Sequence, residues 1–174
     1  IDNLEKVRQS IEAIQSQIEF TRIYQDLGSH EPQWIRLFKV VPFSSVPESI
    51  TLTTDIQEVS VFANPMLSAV FSNLLDNSIR HGDHVTKIGC SAEETGQILT
   101  IRYTDDGTGI PSEIKENIFD EGFGNHTGFG WFLIREILTI TGITIKENGT
   151  CGCGVRFEMV VPAGRYRIEL NDIA

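Results

Sequence analysis

Apolar residues recur near the start of the chain at alternating spacings of three and four. They are Leu4, Val7, Ile11, Ile14 and Ile18. A helix places residues with this spacing on one face. A glycine and a serine at positions 28 and 29 supply a helix-end signal. The pattern therefore predicts a long amphipathic helix over residues 1–28.

An apolar stripe of this length needs a partner surface. No second long amphipathic helix precedes the first predicted strand, so the partner lies either outside this sequence or in another copy of the chain. We therefore predict a homodimer of the parent protein, formed through this helix. The alternative is that the helix packs against its own domain.

The rest of the chain alternates between strand-like and helix-like periodicity. We predict helices over 32–41 (with Trp34, Ile35 and Phe38 facing inward), 65–80, 111–117 and 131–141, and strands over 50–54, 59–62, 85–91, 97–104, 143–147 and 155–161. The strands at 85–91 and 97–104 form an antiparallel hairpin in this interpretation. The order predicts an α+β fold, a two-layer sandwich with helices on one face of a mixed, mostly antiparallel sheet. The predicted domains are the helix at 1–28, a globular domain at 32–162 and a tail at 163–174.

Length and charge limit the possible functions. The chain has 174 residues, enough for one well-buried core, and a formal net charge of -10. Its basic residues are scattered, so we expect no nucleic-acid partner. No apolar run approaches the roughly 20 residues of a membrane helix, so we expect no membrane contact by this part of the protein. The first residue is Ile1 and no signal-like segment follows, which indicates a piece of a longer protein whose own membrane anchoring stays open.

The three cysteines are an odd number in a chain of this size. They favour a reduced, cytoplasmic protein over a disulfide scaffold. Cys151 and Cys153 flank Gly152, and the pair is typical either of a metal site or of a glycine turn leading into a strand. No second ligand pair of matching spacing exists in the sequence, so the turn is the simpler interpretation.

Two asparagines stand four residues apart on the helix predicted over 65–80. Asn73 and Asn77 therefore project from the same face. Mg²⁺ prefers oxygen ligands and is usually completed by waters and substrate phosphates, so one or two amide oxygens are sufficient. Arg80 and His81 follow one turn later and can offer donors to phosphate oxygens. The alternative is that these polar residues only face solvent.

An acidic residue lies directly after the strand predicted over 97–104. Asp105 can accept a hydrogen bond from an amino group such as that of adenine. Gly107 and Gly109 allow the backbone to approach a flat ring closely. The alternative is an ordinary Asp-Gly turn.

Glycines also punctuate residues 122–130, where the next helix begins. Free backbone N–H groups and a helix N-terminus together can hold a phosphate. The spacing fits neither a P-loop nor a dinucleotide-binding motif. A flexible loop without a ligand is the alternative.

The four motifs occur in a characteristic order at 73–81, 105–110, 118–124 and 127–131. They resemble the N, G1, F and G2 boxes of the Bergerat-fold ATPases, and above all those of sensor histidine kinases. The resemblance covers residues 32–162. The leading helix looks like the second helix of the dimerisation and histidine-phosphotransfer hairpin of that family.

The resemblance implies a site for ATP and Mg²⁺. It implies that Asn77 coordinates magnesium, that Asp105 binds the adenine amino group, and that residues 111–130 form a mobile ATP lid. The ATP-binding residues that it implies are Asn73, Asn77, Arg80, His81, Asp105, Gly107, Gly109, Ile110, Phe119, Thr127, Gly128, Phe129 and Gly130. Asp106 departs from the asparagine usual in the family, and Phe129 and Trp131 depart from the usual leucines.

Asn73 bears on the type of reaction. Gyrase-like, mismatch-repair and chaperone relatives have at this position a glutamate that acts as general base for hydrolysis, and an asparagine cannot take a proton. The resemblance therefore favours a kinase that transfers the γ-phosphoryl group to a histidine, in a phosphorelay to a response regulator of a two-component system. None of the four histidines lies in the phosphoacceptor pattern of the family, so we expect the acceptor outside this sequence.

Two other functions fit the same fold. One is a nucleotide-binding interaction module in which ATP moves the lid without any transfer. The other is a serine kinase of the anti-sigma type, although those lack the long leading helix.

Overall fold

The computed structural model describes residues 2–56, 58–120, 123 and 129–169. The helices are α1 (Asp2–Leu27), α2 (Leu37–Val40), α3 (Leu67–His81) and α4 (Phe129–Thr139), with a 3-10 turn at Phe43–Ser45. The strands are β1 (Gln33–Arg36), β2 (Thr51–Asp55), β3 (Val59–Ala63), β4 (Lys87–Thr95), β5 (Ile98–Asp105), β6 (Thr144–Glu147), β7 (Arg156–Val161) and β8 (Tyr166–Ile168).

Five strands form the larger sheet, in the order β2-β4-β5-β7-β6. β2 runs parallel to β4, and the other neighbours are antiparallel. Alternate residues of β5 are buried, namely Leu99, Ile101, Tyr103 and Asp105. This face shares one hydrophobic core with α3 and α4. The mixed, mostly antiparallel sheet and the α+β fold are therefore confirmed.

A second sheet of three strands has the order β1-β3-β8. The prediction of a single helix over 32–41 was wrong, because residues 33–36 pair with β3. Trp34 and Phe38 are 37% and 55% exposed instead of facing inward. Four residues show too little of either periodicity to decide between strand and helix, so the distant partner strand decides.

The second sheet also extends beyond the predicted domain boundary at residue 162. β8 pairs antiparallel with β3 from Val61↔Tyr166 to Val59↔Ile168. Glu169 then forms an ion pair with Arg36 of β1, at 3.0 Å. Residues 166–169, predicted as part of a tail, thus contribute to the small sheet.

The segment before the glycine loop is a series of turns. The helix predicted over 111–117 was wrong, since the amides of Ile114 and Asn117 donate to carbonyls only three residues earlier, at 3.2 and 2.9 Å. Asp120 continues the series with a bond to Asn117. The segment is held by tertiary contacts of its side chains, which are described below.

The helix α1 presents its apolar residues to solvent. Leu4, Val7, Ile11, Ile14 and Ile18 are 50–78% exposed. The helix ends at buried Leu27, whose carbonyl accepts a hydrogen bond from the side-chain Nδ2 of Asn64 at 3.3 Å. No helix within the described ranges has the length and apolar character needed to cross a bilayer.

Candidate nucleotide-binding site

The helix α3 carries both asparagines on its half-buried side. The Nδ2 group of Asn73 donates to the carbonyl of Ala69 at 2.9 Å, so its Oδ1 remains available as an acceptor. The carboxamide of Asn77 makes no hydrogen bond to any residue that the structure describes. Asn77 can therefore offer an oxygen to a ligand without breaking an existing contact.

The basic residues at the end of α3 lie on its surface. Arg80 pairs with Asp76 one turn earlier, with Nε 2.7 Å from Oδ1, and both side chains are more than half exposed. His81 is exposed as well. The positive charge of Arg80 interacts favourably with the C-terminal end of the helix dipole. Arg80 is thus paired with Asp76 in this structure, and its contact with phosphates stays a prediction.

Asp105 is 8% exposed at the end of β5 and accepts three hydrogen bonds. Its Oδ1 accepts from the amides of Gly107 at 3.0 Å and Val155 at 3.1 Å. Its Oδ2 accepts from the hydroxyl of Ser78 at 2.5 Å. A carboxylate has about four acceptor positions, so one position on Oδ2 remains.

The glycines after Asp105 allow close backbone contacts on both sides of the turn. A Cβ at Gly107 would collide with the carbonyl of Gly82, which follows α3. Gly109 has a φ of +71°, and a Cβ there would lie 2.7 Å from the carbonyl oxygen of Gly154. These close contacts fix the turn against the end of α3 and the β6–β7 loop, and the predicted close approach of the glycine backbone to a base stays a prediction.

Asp106 holds the start of β4. Its Oδ1 accepts from the amides of Thr86 and Lys87, both at 2.8 Å, and its Oδ2 accepts from the hydroxyl of Thr86 at 2.5 Å. These bonds, led by that of the Thr86 hydroxyl, lower the pKa of Asp106 from its ordinary value of 3.8 to about 2. Asp106 therefore has a structural role, because it attaches the turn after β5 to the start of β4.

The loop between β6 and β7 forms the other wall of the Asp105 turn. The amide of Gly152 donates to the carbonyl of Thr108 at 2.7 Å, and the amide of Asp105 donates to the carbonyl of Val155 at 3.2 Å. The sequence pattern did not assign Val155 or Ser78 to the site. The hydrogen bonds of Ser78 and Val155 with Asp105 join segments that are distant in sequence, so no local spacing indicates them.

Three aromatic side chains form a cluster in the core, namely Phe119, Trp131 and Phe157. Phe119 is 6% exposed and meets Trp131 edge-on, with ring centroids 6.2 Å apart. Trp131 stacks on Phe157 at 4.9 Å. Phe119 thus lies in the core, and Trp131 adds a ring to an aromatic cluster. Ile110 is half-buried against the same core.

The start of α4 lies beside Asn73. A Cβ at Gly130 would be 3.5 Å from the Oδ1 of Asn73, so the helix N-terminus and this asparagine are neighbours. The helix begins at Phe129. Thr127 and Gly128, together with most of the predicted lid tip, lie outside the described residues.

The cysteines occupy two different environments. Cys90 is buried in the core, and burial raises the pKa of its thiol to about 12. Cys151 and Cys153 are exposed on a turn in which Gly152 has a φ of +86°. Among the described residues, no cluster of three or more His, Cys, Asp or Glu side chains could hold a metal ion. The glycine-turn interpretation of this segment is confirmed.

Known proteins are similar to this chain in sequence. Residues 63–165 match the family of histidine kinase-, DNA gyrase B- and HSP90-like ATPases. The sensor protein CitS of Halalkalibacterium halodurans is 31% identical over 126 residues, which are 67% of this chain and 23% of CitS. The sensor histidine kinase DpiB of Escherichia coli is 30% identical over 120 residues, 60% of this chain and 20% of DpiB. The chain thus spans about a fifth of the length of these relatives.

Solved structures agree on the fold. The Acinetobacter baumannii histidine kinase AdeS superposes with a TM-score of 0.69 at 19% identity, over 92% of this chain and 84% of the other. The mycobacterial sensor histidine kinase MprB superposes with a TM-score of 0.65 at 18% identity, over 77% of this chain and 97% of the other. The chain therefore belongs to the histidine kinase-, DNA gyrase B- and HSP90-like ATPase family, and within that family it is similar to sensor histidine kinases.

Proposed function

We propose that this domain binds Mg-ATP between α3, the turn after β5 and the start of α4, and transfers the γ-phosphoryl group to a histidine outside this sequence. The observation that carries the proposal is the set of hydrogen bonds that the carboxylate of Asp105 accepts. Three donors fix its carboxylate at the end of β5 and leave one acceptor position on Oδ2. An adenine amino group supplies the matching donor.

The asparagines of α3 suit the phosphate end of the nucleotide. The carboxamide of Asn77 is half-buried and makes no hydrogen bond within the described residues, so its oxygen fits one position of an octahedral Mg²⁺. The other positions would come from phosphates and water. Bound magnesium would neutralise charge on the phosphates during transfer. Asn73 and the N-terminus of α4, which lie side by side, supply an acceptor and backbone donors at the same end.

The chemistry of Asn73 supports transfer over hydrolysis. The side-chain Nδ2 of Asn73 donates to the carbonyl of Ala69, and a carboxamide cannot take a proton from an attacking water. Phosphoryl transfer depends mainly on positioning and charge neutralisation, which a fixed pocket provides. In the step that we propose, the bond between the γ-phosphorus and the bridging oxygen of ADP breaks, and a bond to an imidazole nitrogen of the acceptor forms.

The wider role follows from the same proposal. The phosphoryl group would pass from the histidine to an aspartate of a response regulator. The parent protein would be a homodimer joined through the exposed apolar face of α1. We place the site in the cytoplasm, where ATP is abundant, whether or not the parent protein is anchored in a membrane.

The first experiment is a calorimetric titration of the chain with a non-hydrolysable ATP analogue, with and without Mg²⁺. We expect binding by the wild type, loss of binding in Asp105→Ala, and loss of the magnesium dependence in Asn77→Ala. Ser60→Ala is a matched control, since Ser60 is buried on β3 in the other sheet. A wild type that binds no nucleotide would contradict the proposal.

A second experiment tests the transfer. The parent protein is incubated with ATP labelled at the γ-phosphate, and the acid stability of the label on the protein is measured. A phosphohistidine loses its phosphate in acid, whereas a phosphoserine keeps it. Nucleotide binding without any labelled protein would favour the interaction module instead.

A further inference from the structure

Three buried polar side chains form a chain of hydrogen bonds that ends at Asp105. The hydroxyl of Tyr103 donates to Oγ of Ser78 at 3.0 Å, and Ser78 donates to Oδ2 of Asp105 at 2.5 Å. The three residues are 2%, 3% and 8% exposed, respectively. Buried polar groups are costly unless they are paired, and in this series of hydrogen bonds each hydroxyl donates to the next side chain.

The direction of each bond is fixed by the groups themselves. A carboxylate can only accept, so the one proton of the Ser78 hydroxyl points to Asp105. Ser78 Oγ is then an acceptor for Tyr103. Burial raises the pKa of Tyr103, which keeps its phenol protonated as the donor at neutral pH. In a buried chain each bond strengthens the next, so Tyr103 acts on Asp105 through Ser78.

We propose that Ser78 and Tyr103 are positioning residues that orient the last open acceptor position of Asp105 and so select a 6-aminopurine nucleotide. The inference rests on the proposed function, since it assumes that the nucleotide base meets Asp105. Ser78 contacts the carboxylate directly, and Tyr103 contacts it through Ser78. Neither residue needs to touch the base.

The selectivity follows from the number of occupied positions. With Ser78 in place, Oδ2 has one open position, and adenine fills it with a donor. Guanine would place an acceptor there, and an unsubstituted purine would leave the position empty. Without the Ser78 hydroxyl, Oδ2 has two open positions, which a water molecule can enter. Water can donate or accept, so it would adapt the site to bases that lack the amino group.

The test compares two nucleotides on the full chain. Calorimetry gives the Kd values, with Mg²⁺, of non-hydrolysable analogues of ATP and of purine riboside triphosphate, which lacks the 6-amino group. A hydrogen bond to a charged group predicts that the wild type prefers the ATP analogue by about tenfold or more. We expect Ser78→Ala to remove most of this preference and Tyr103→Phe to reduce it by about threefold.

Ser60→Ala is the control, because it removes another buried hydroxyl, one that donates to Glu169 at 3.3 Å on the small sheet. The preference should be unchanged in this variant. Thermal unfolding of each variant shows whether it is folded, and Tyr103→Phe provides the test if Ser78→Ala does not fold.

The outcomes separate the two proposals. If Ser78→Ala and Tyr103→Phe weaken both nucleotides equally, the residues are merely structural and the positioning role is overturned. If the wild type binds neither nucleotide, the proposed function itself fails. A wild type that binds both nucleotides equally would show that Asp105 does not read the amino group, which also overturns the positioning role.

Discussion

At the scale of single residues, Asp106 shows how a carboxylate can replace the asparagine usual in related sequences. The carboxylate accepts bonds from the amides of Thr86 and Lys87 and from the hydroxyl of Thr86. An asparagine side chain has only one oxygen acceptor, and its Nδ2 group cannot accept. The carboxylate of Asp106 thus provides a second oxygen acceptor, which attaches the turn after β5 to the hydroxyl of Thr86 next to β4.

We predict that Asp106→Asn lowers stability near neutral pH and that the difference disappears in acid. The pKa of Asp106 is lowered to about 2 from its ordinary value of 3.8. A group with a lowered pKa stabilises the fold above its unfolded value and loses this effect as the pH falls through the folded value. Urea unfolding midpoints of the two proteins should therefore converge between about pH 4 and pH 2. A constant difference over that range would contradict the role of the carboxylate.

Gly109 and Gly96 permit a matched pair of substitutions. Both have positive φ, +71° and +65°, but a Cβ at Gly109 would lie 2.7 Å from the carbonyl of Gly154, whereas Gly96 has open space. We predict that Gly96→Ala lowers the free energy of unfolding by about 1 kcal/mol without affecting nucleotide binding. Gly109→Ala should cost about 3 kcal/mol, because overpacking adds to the backbone strain, and should weaken nucleotide binding. Urea unfolding and calorimetry measure the two effects; equal effects of both variants would contradict the packing argument.

The sequence indicated part of the site at this scale. The spacing of Asn73 and Asn77 and the position of Asp105 at a strand end are local patterns; the structure has both asparagines on α3 and Asp105 as the last residue of β5, and their roles toward a ligand stay predictions. Of the three hydrogen bonds that fix Asp105, the one from Gly107 is local, whereas those from Ser78 on α3 and from Val155 just before β7 join segments that are distant in sequence. Such bonds depend on tertiary packing, so no local pattern predicts them.

At the scale of elements, a buried ion pair ties the segment before the lid to the larger sheet. Lys115 Nζ lies 2.5 Å from Oε2 of Glu147, with side chains 17% and 0% exposed. Oε2 makes no hydrogen bond within the described part of the chain, so the contact is electrostatic, while Nζ also donates to the carbonyl of Gly149. The other oxygen of Glu147 accepts from the amides of Gly149 and Arg156.

We predict that Lys115→Met lowers the free energy of unfolding by about 3 kcal/mol, because it leaves a buried charge without a partner. The double variant with Glu147→Gln should recover part of this loss. Arg36→Met is the control, since the Arg36–Glu169 pair is 63% and 43% exposed and should contribute at most about 1 kcal/mol. Equal losses from the buried and the exposed pair would contradict this interpretation.

The pattern of apolar positions predicted the longer elements and the strands β2, β3 and β6, but it failed for β1, β8 and the turns after β5. Helix α3 and strands β4 and β5 have enough residues to show their period. β1 and β8 have four and three residues and form only because β3 lies between them. The turns at 111–120 are held by contacts such as that of Lys115 with Glu147, which a sequence pattern does not contain.

At the scale of the whole molecule, α1 carries an apolar stripe that is exposed to solvent. Its five apolar residues at the predicted spacing are half or more exposed. Exposed apolar stripes of this kind mark association surfaces. The stripe supports the homodimer that we propose for the parent protein.

We predict that the chain self-associates through α1 and that paired Ile11→Lys and Ile14→Lys substitutions prevent this. Sedimentation velocity over a range of concentrations measures the association. Paired Gln9→Lys and Ser16→Lys substitutions are the control, since both positions fall midway between stripe positions along the helix and give the same charge change. Equal effects of the two pairs would show that charge, and not the apolar stripe, governs association.

The pairing of β8 with β3 has a consequence for how the protein is made. Four of the five strands of the larger sheet lie between these two partners in sequence, so a ribosome completes them before β8 emerges. Until then β3, four of whose five residues are buried in the finished fold, has an open edge on one side. A nascent chain therefore contains every residue that we assign to the nucleotide pocket before its small sheet can close. That interval is when an unpaired edge is most exposed to pairing with another chain, and it ends only when residues 166–168 leave the ribosome.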